Sequence, residues 1–277
     1  MEKVDTQGPE HKDCPITGHA MVAVFTETVL GKHKATYYFC EPCGLLQAGN
    51  PHWLDEAYGS AIAHADTGLV SRNWLNHRTL EPVLDRLFPR GGKFLDVGGG
   101  YGLLARLLRD IGFDCYSVDP HCKNLFAESF EPGPGFKADA LFACEVLEHV
   151  EHPVDFLRDV FKRYGCRTVV ISTAVFADGV PPKDWWYYQF EEGQHITFYQ
   201  TRTLGALAAK LGCRHYVLRR GLHLITDLRL PAWDRFLLTN RYAFRLLRML
   251  TRVRRRGMSK TWEDHLYLRD SLKKKGD

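Results

Sequence analysis

The stretch FLDVGGGYG at residues 94–102 decides the fold of this chain. A short apolar strand carries Asp96 near its end, and glycines then stand at every second position up to Gly102. A stretch with helical character, residues 103–110, follows at once. Glycine lets the backbone turn sharply and approach a ligand without a Cβ in the way. The stretch therefore predicts a strand, a ligand-binding glycine loop and a helix; the alternative is a tight turn without a ligand.

The spacing of the glycines argues against a nicotinamide dinucleotide site, which needs a glycine where Leu103 stands. An acidic residue two positions before the first glycine is typical of class I S-adenosylmethionine (SAM) methyltransferases, and the stretch resembles their first motif. This resemblance implies a Rossmann-like α/β fold. It also implies a cofactor site that includes Asp96, Gly98, Gly99, Gly100 and Gly102.

A second acidic residue follows the next predicted strand. Residues 113–118 are predicted to form a buried strand that ends at Asp119-Pro120. An acidic side chain at this strand tip can accept hydrogen bonds from both ribose hydroxyls of a nucleoside cofactor. Asp119 lies 17 residues after Gly102, behind the glycine loop. We therefore expect Asp119 and Pro120 to contact the cofactor; the alternative is a simple turn.

A third motif follows another short apolar strand at residues 140–144. The sequence EVLEHV at residues 145–150 resembles the fourth-strand motif of the same superfamily. Glu145 is predicted at the carboxyl edge of the sheet, where ligands of open α/β sheets bind. With three motifs in this order, the chain is identified as a member of the class I SAM-dependent methyltransferases.

Two segments around the motifs carry further cofactor predictions. The connection at residues 121–139 contains PGPG and has room for little more than a short strand near residues 125–130, so we expect backbone groups and the aromatics near Phe126 and Phe130 to contact adenine. Residues 51–80 predict helices that cover the cofactor in related methyltransferases. Arg72 is a candidate for the methionine carboxylate, which a guanidinium can bind bidentately. Trp74 is expected in the core.

The N-terminal cysteines resemble the two knuckles of a zinc ribbon. Cys14 stands in the first knuckle, Cys40 and Cys43 stand in the second, and residues 21–30 and 34–39 predict a hairpin between them. Zinc usually takes four ligands from two C-x2-C pairs. Thr17 replaces the fourth cysteine, so we predict zinc at the three cysteines with one further ligand. The alternative is a small β element that has lost its metal.

Residues 184–199, DWWYYQFEEGQHITFY, are predicted to contact the acceptor. The paired tryptophans and tyrosines fit a platform for sugar or aromatic faces, or a plug over the cofactor. The end of the segment resembles a stretch of SAM methyltransferases that act on nucleotide sugars and glycans. In the zinc-ribbon sugar C-methyltransferases of that group, the corresponding histidine takes the acceptor proton. This resemblance makes His195 the predicted base, with Tyr188 beside the acceptor and His149 in reserve; the alternative is that His195 caps the helix beginning near Thr201.

The residue before this histidine decides which atom we expect to be methylated. Those relatives usually place an acidic residue there, whereas this chain has Gln194. Without the adjacent carboxylate, removal of a hydroxyl proton is favoured over removal of a carbon-bound one. We predict O-methylation of a sugar, a glycan or a related small molecule, as in polysaccharide or natural-product pathways. The alternatives are C-methylation of a nucleotide keto sugar and a non-catalytic SAM-binding scaffold subunit.

The length of 277 residues allows one main domain with appendages. We divide the chain into a cysteine-bearing hairpin (1–50), a helical cofactor lid (51–80), the SAM-binding domain (81–228) and a basic tail (229–277). The absence of a long apolar run and of a secretory signal predicts a cytoplasmic protein. Residues 241–256 predict an amphipathic basic helix that packs on the domain or contacts an anionic membrane surface or a protein partner. Nucleic acid is disfavoured as a partner because no aromatics are interleaved with these arginines.

Overall fold

The computed structural model describes residues 12–58 and 66–273. In chain order its strands are β1 (Lys12–Asp13), β2 (Ala20–Val29), β3 (His33–Cys40), β4 (Leu45–Ala48), β5 (Lys93–Val97), β6 (Asp114–Val118), β7 (Ala140–Cys144), β8 (Thr168–Ser172), β9 (Thr197–Phe198), β10 (Arg214–Val217) and β11 (Leu222–Thr226). The α-helices are α1 (Leu54–Ala57), α2 (Leu69–Leu87), α3 (Leu103–Asp110), α4 (Pro153–Tyr164), α5 (Thr201–Lys210), α6 (Ala232–Thr239), α7 (Arg241–Arg254) and α8 (Thr261–Lys273).

The larger sheet has six strands in the order β10-β11-β8-β7-β5-β6. Strands β6, β5, β7 and β8 run parallel, while β11 runs antiparallel to both of its neighbours. Strand β8 is buried along its whole length, as expected for a parallel strand covered on both faces. Helices α4 and α5 pack on one face, and α2, α3, α6 and α7 contribute to the core on the other. The prediction of a Rossmann-like α/β sheet is confirmed.

The smaller sheet, in the order β1-β2-β3-β4-β9, joins the N-terminal hairpin to the predicted acceptor segment. Strand β9 pairs antiparallel with β4, so that Leu46 lies opposite Phe198. Two side-chain bonds add to this connection: Trp53 Nε1 donates to the Gly193 carbonyl, and Thr203 Oγ1 donates to the Cys43 carbonyl. The small N-terminal β element is therefore present, and it holds the segment that contains His195.

The connection at residues 121–139 contains no strand, which corrects the expectation of one near residues 125–130. Instead, this connection makes one backbone hydrogen bond to the edge strand β6, from the Ser117 N–H to the Phe130 carbonyl. The Arg109 guanidinium lies 3.6 Å from the centre of the Phe130 ring, and Tyr267 of α8 packs 6.0 Å from that ring. A loop and a C-terminal helix thus occupy this side of the sheet.

The predicted basic helix is present as α7 and packs against α2 through ion pairs. Arg252 lies 3.5 Å from Glu81, and Arg254 and Arg255 both pair with Asp85. The apolar stripe expected on this helix is split, because Leu247 is buried while other members of the stripe are exposed: Leu246, Leu250 and Val253. In the part of the chain that the structure describes, no helix combines the length and the hydropathy needed to cross a bilayer.

Candidate active site

A cavity of about 700 Å³ opens at the carboxyl ends of β5, β6 and β7. Most of the predicted site residues line it together: Arg72, Asp96, Gly98, Gly99, Gly100, Asp119, Pro120, Glu145, His149 and His195. The carboxyl edge of a parallel sheet is where open α/β folds bind their ligands. The volume is within the usual range for a small-molecule or cofactor site.

The glycine loop leaves no room for a side chain on the sheet side. A Cβ on Gly99 would overlap Ser117 Oγ and lie 2.6 Å from Asp96 Oδ2. Gly102 begins α3 with a φ of 80°, and a Cβ there would overlap Asn124 Oδ1. Gly102 is absent from the lining of the cavity, so its observed role is to turn the chain into α3.

Asp119 is oriented by backbone donors. One carboxylate oxygen accepts a bond from the Gly100 N–H at 2.9 Å, and the other accepts from His121 and Cys122 at 2.8 and 3.0 Å. A carboxylate offers about four lone-pair positions, and these three donors leave Asp119 able to accept a further bond from a ligand. The prediction that Asp119 contacts the cofactor fits this geometry.

Asp96 lies beneath the loop and is 2% exposed. Burial, followed by the nearby Asp119 charge, raises the pKa of Asp96 from 3.8 to about 8. At neutral pH the cofactor-free protein therefore keeps a proton on Asp96. A cationic ligand in the cavity would favour the ionised carboxylate, because an opposite charge stabilises the charged form.

Replacement of Asp96 by Asn is expected to stabilise the cofactor-free protein at alkaline pH. The folded chain holds the Asp96 proton up to about pH 8, whereas the unfolded chain releases it near 3.8, so the free energy of unfolding falls as the pH rises through this window. Asn cannot ionise and removes this fall. Thermal unfolding at pH 5 and at pH 9 measures it: the variant should gain Tm mainly at the higher pH, and an equal shift at both would contradict the prediction.

Two glutamates share the Tyr187 hydroxyl at the edge of β7. Tyr187 donates to Glu148 Oε1 at 2.6 Å and lies 3.4 Å from Glu145 Oε2. Ser172 Oγ donates to the other oxygen of Glu145 at 2.7 Å, and Glu145 itself has a positive φ of 55°. Burial and then the Glu145 charge raise the pKa of Glu148 well above its usual value. The strained backbone at Glu145 is typical of residues held in place for a function.

His149 and His195 both line the cavity, and their ring centres lie 4.9 Å apart. The Nδ1 of His149 lies 3.1 Å from the Gln194 carbonyl, and that of His195 lies 2.7 Å from the Tyr187 carbonyl. Burial lowers the pKa of both imidazoles, that of His149 to about 3. Gln200, rather than His195, caps α5, so the helix-capping alternative for His195 is wrong.

Several predicted contacts lie outside the cavity. Tyr188 is buried against the N-terminal sheet and donates to the Pro181 carbonyl, so its predicted catalytic position is corrected; Tyr187 lines the cavity instead. Phe126 is half exposed, Phe130 lies in the core, and neither lines the cavity, which corrects their predicted place beside adenine. Trp74 is 48% exposed rather than part of the core.

Three other cavity residues show what sequence reasoning missed and what it left open. Arg72 lines the cavity, yet two of its N–H groups already bind both oxygens of Asp66. Tyr58 stacks on His121 with ring centres 4.6 Å apart and an interplanar angle of 8°, and both rings line the cavity. No sequence motif marks Tyr58 and His121. Glu148 could have been found, because it follows Glu145 by three residues in an otherwise apolar stretch.

The three predicted metal ligands meet at the N-terminal sheet. The thiol sulfurs of Cys14, Cys40 and Cys43 lie within 4.8 Å of one another, and the cysteines are buried. Cys14 Sγ lies 3.6 Å from Cys43 Sγ, and Thr17 Oγ1 lies 3.7 Å from Cys40 Sγ. The Cys43 thiol, acting as a donor, lowers the pKa of Cys14.

The sheet order, the glycine cradle and the paired acidic strand ends define an α/β protein that binds a nucleoside cofactor. Residues 72–216, more than half of the chain, match the family model described as a methyltransferase domain. The chain therefore belongs to this methyltransferase domain family. The prediction of a class I SAM-dependent methyltransferase is confirmed at the level of family and fold.

Solved structures with distant similarity include TnmH and two methyltransferases. TnmH is 22% identical with a TM-score of 0.44, and the match covers 64% of this chain and 61% of that one, which is less than two thirds of its length. The O-methyltransferase NcsB1 from neocarzinostatin biosynthesis is 18% identical (TM-score 0.41, 56% and 57% covered). Magnesium protoporphyrin IX methyltransferase from Synechocystis PCC 6803 is 15% identical (TM-score 0.41, 62% and 90% covered). A comparison with curated proteins finds no significant match.

Proposed function

We propose that this protein transfers the methyl group of SAM to a hydroxyl group of a small-molecule acceptor, with a sugar or glycan as the favoured class. One observation carries the proposal: a single cavity is lined both by the glycine loop with Asp119 and by the His149–His195 pair. Such a cavity can hold a nucleoside cofactor and an acceptor together, which is what direct transfer between them requires.

The residues present fit the cofactor. A Cβ on Gly99 would meet Ser117 and Asp96 and push the loop away from the sheet, so glycine there keeps the cavity open, and Asp119 is held by backbone donors at a strand tip where a ribose hydroxyl can donate to it. Asp96 supplies a carboxylate whose ionised form a cationic ligand would stabilise. When bound, SAM supplies an electrophilic methyl group on a sulfonium.

The imidazoles of His149 and His195 support removal of a proton from an acceptor hydroxyl. Because burial lowers their pKa values, both imidazoles are neutral at pH 7, and each has a nitrogen lone pair to offer. His195 is 7% exposed and lines the cavity beside Tyr187, so its ring is fixed before the acceptor binds. The sulfonium charge of SAM is lost on transfer. The reaction then needs mainly alignment of the two reactants and removal of the hydroxyl proton of the acceptor.

An acceptor screen tests the proposal. The purified chain is incubated with SAM and with panels of sugars, glycans and hydroxylated aromatic compounds, and products are identified by mass spectrometry and NMR. A new O-methyl signal supports the proposal. A methyl group on carbon would instead support C-methylation of a keto sugar. Tight binding of S-adenosylhomocysteine without turnover on any panel would support a non-catalytic scaffold.

We also propose that Cys14, Cys40 and Cys43 hold a structural zinc ion. Two sulfurs bound to a tetrahedral zinc at about 2.3 Å lie roughly 3.8 Å apart, close to the 3.6 Å between Cys14 Sγ and Cys43 Sγ. Thr17 brings an oxygen to the same cluster. The ion would tie the turns that flank β2 and β4, and with them the sheet that carries β9.

Chelation is expected to lower the Tm of the wild-type chain, because removal of the ion leaves three buried thiols without a common partner. Protein purified without a histidine tag should contain stoichiometric zinc by elemental analysis. A Cys43→Ser variant should lose the zinc and become insensitive to the chelator. Zinc-free wild-type protein with an unchanged Tm would show that the cluster is a metal-free packing element.

A further inference from the structure

A second cluster of metal-binding side chains lies at the acceptor end of the cavity. Ligand atoms of Glu148, His149 and His195 lie within 4.8 Å of one another. Both histidines line the cavity, while Glu148 is fully buried beneath them. The three residues come from the turn after β7 and from the segment before β9, so the fold brings together residues that are far apart in the sequence.

The hydrogen bonds of the two imidazoles set which nitrogen is free. The Nδ1 atoms face the carbonyl oxygens of Gln194 and Tyr187, and a carbonyl can only accept, so each Nδ1 carries the proton. Each Nε2 is then left with its lone pair. A histidine that binds a metal usually donates its other N–H to a carbonyl or carboxylate, which fixes the ring in this way.

A buried oxygen of Glu148 gives further support for a cation site. Its Oε1 accepts the Tyr187 hydroxyl, but its Oε2 is buried and has no hydrogen-bond partner among the residues that the structure describes. A buried polar atom without a partner costs free energy. A cation between Glu148 and the two imidazoles would supply the missing partner.

We propose that Glu148, His149 and His195 bind a divalent cation, and that the cation binds two neighbouring hydroxyl oxygens of a vicinal-diol acceptor. This inference rests on the proposed function and refines it: the imidazoles activate the hydroxyl as ligands of a cation instead of as free bases. Two histidines and one carboxylate leave open positions on an octahedral cation. Two adjacent oxygens, as in a catechol or a sugar diol, fill a neighbouring pair of positions.

The cavity residues can account for the proton released in the transfer. The cation lowers the pKa of the bound hydroxyl, and the O–H bond breaks with its proton passing to Glu145, whose carboxylate lines the cavity outside the ligand set. The oxygen lone pair forms the new C–O bond while the C–S bond of the sulfonium breaks. Its electron pair stays on sulfur, which leaves a neutral thioether and a methyl ether.

Manganese binding tests the site without using turnover. The full chain is treated with chelator, saturated with S-adenosylhomocysteine and titrated with Mn²⁺, and free Mn²⁺ is followed by electron paramagnetic resonance. Wild-type protein should bind Mn²⁺, and Glu148→Gln and His149→Gln should each weaken binding by at least about tenfold. Catechol should change the spectrum of bound Mn²⁺ and phenol should not, since only catechol offers two adjacent oxygens.

A matched control tests whether an effect is specific to the cluster. His265→Ala removes an exposed histidine of α8 that lies outside the cavity lining, and it should not alter Mn²⁺ binding. The cation site would be overturned if wild-type protein failed to bind Mn²⁺ up to about 1 mM. It would also be overturned if Glu148→Gln and His149→Gln both bound Mn²⁺ with wild-type affinity. An equal spectral response to phenol would overturn the diol assignment. Methyl transfer that survives chelation would refute this inference alone, whereas intact Mn²⁺ binding without any methyl transfer would refute the proposed function alone.

Discussion

Replacement of His195 by Ala is expected to lower kcat by about 10²–10⁴-fold, the usual contribution of a positioned group that handles the reacting proton. The ring is held by the Tyr187 carbonyl at 2.7 Å and packs against His149, so its free nitrogen is fixed at the acceptor end of the cavity. The loss is expected whether the imidazole takes the proton itself or binds a cation. Steady-state kinetics with any acceptor found by the screen measures the effect.

The same variant should bind S-adenosylhomocysteine as tightly as the wild type, because the predicted cofactor contacts come from the glycine loop and Asp119 and not from His195. Calorimetry measures this affinity and also reports whether the variant is folded. His265→Ala serves as the matched control and should keep the wild-type kcat, since this exposed side chain lies on α8 away from the cavity. A kcat unchanged by His195→Ala would remove the histidine from the mechanism.

Replacement of Gly99 by Ala is expected to have the second largest effect, on cofactor binding. The new Cβ would overlap Ser117 Oγ and lie 2.6 Å from Asp96 Oδ2, so the loop would have to move away from the sheet and into the space of the ligand. Overpacking of this kind costs about 1–3 kcal/mol. If the cost falls on the bound state, the Kd for S-adenosylhomocysteine rises by about five- to 150-fold.

Gly133→Ala provides the control for this substitution. A Cβ on Gly133 meets no atom within 4 Å, and no left-handed φ is required at this position. Calorimetry should therefore find wild-type affinity for S-adenosylhomocysteine in Gly133→Ala and weakened affinity in Gly99→Ala. Equal affinities in the two variants would mean that the loop does not approach the cofactor.

The central part of the fold could be predicted because its signals are local. Apolar runs bounded by glycine or acidic residues place β5, α3 and β7 within a residue of their observed bounds. Asp119 was also predictable, since parallel strands bring their carboxyl ends to one edge of the sheet.

Features that depend on distant pairing were not predictable. Tyr187 donates to Glu148 across 39 residues, and nothing near Tyr187 distinguishes it from the neighbouring Tyr188. In the structure the two neighbouring side chains point in different directions. Tyr187 faces the carboxylates of Glu145 and Glu148, while Tyr188 packs on Phe25 and Tyr37. The aromatics near residue 130 were misplaced for a similar reason, since the sequence does not show that a C-terminal helix covers Phe130.

The salt bridge between the C-terminal helix and the core bears on how the chain can be shortened. Arg109 is 3% exposed and binds both oxygens of Asp264, and Asp114 is its other carboxylate partner among the described residues. Loss of one partner from a buried ion pair typically costs about 3–5 kcal/mol. A truncation at the family-model boundary near residue 216 would thus remove Asp264, one of the two carboxylate partners of the buried Arg109. Expression trials that trim the polar C-terminus should therefore stop after Leu268, which packs on the core.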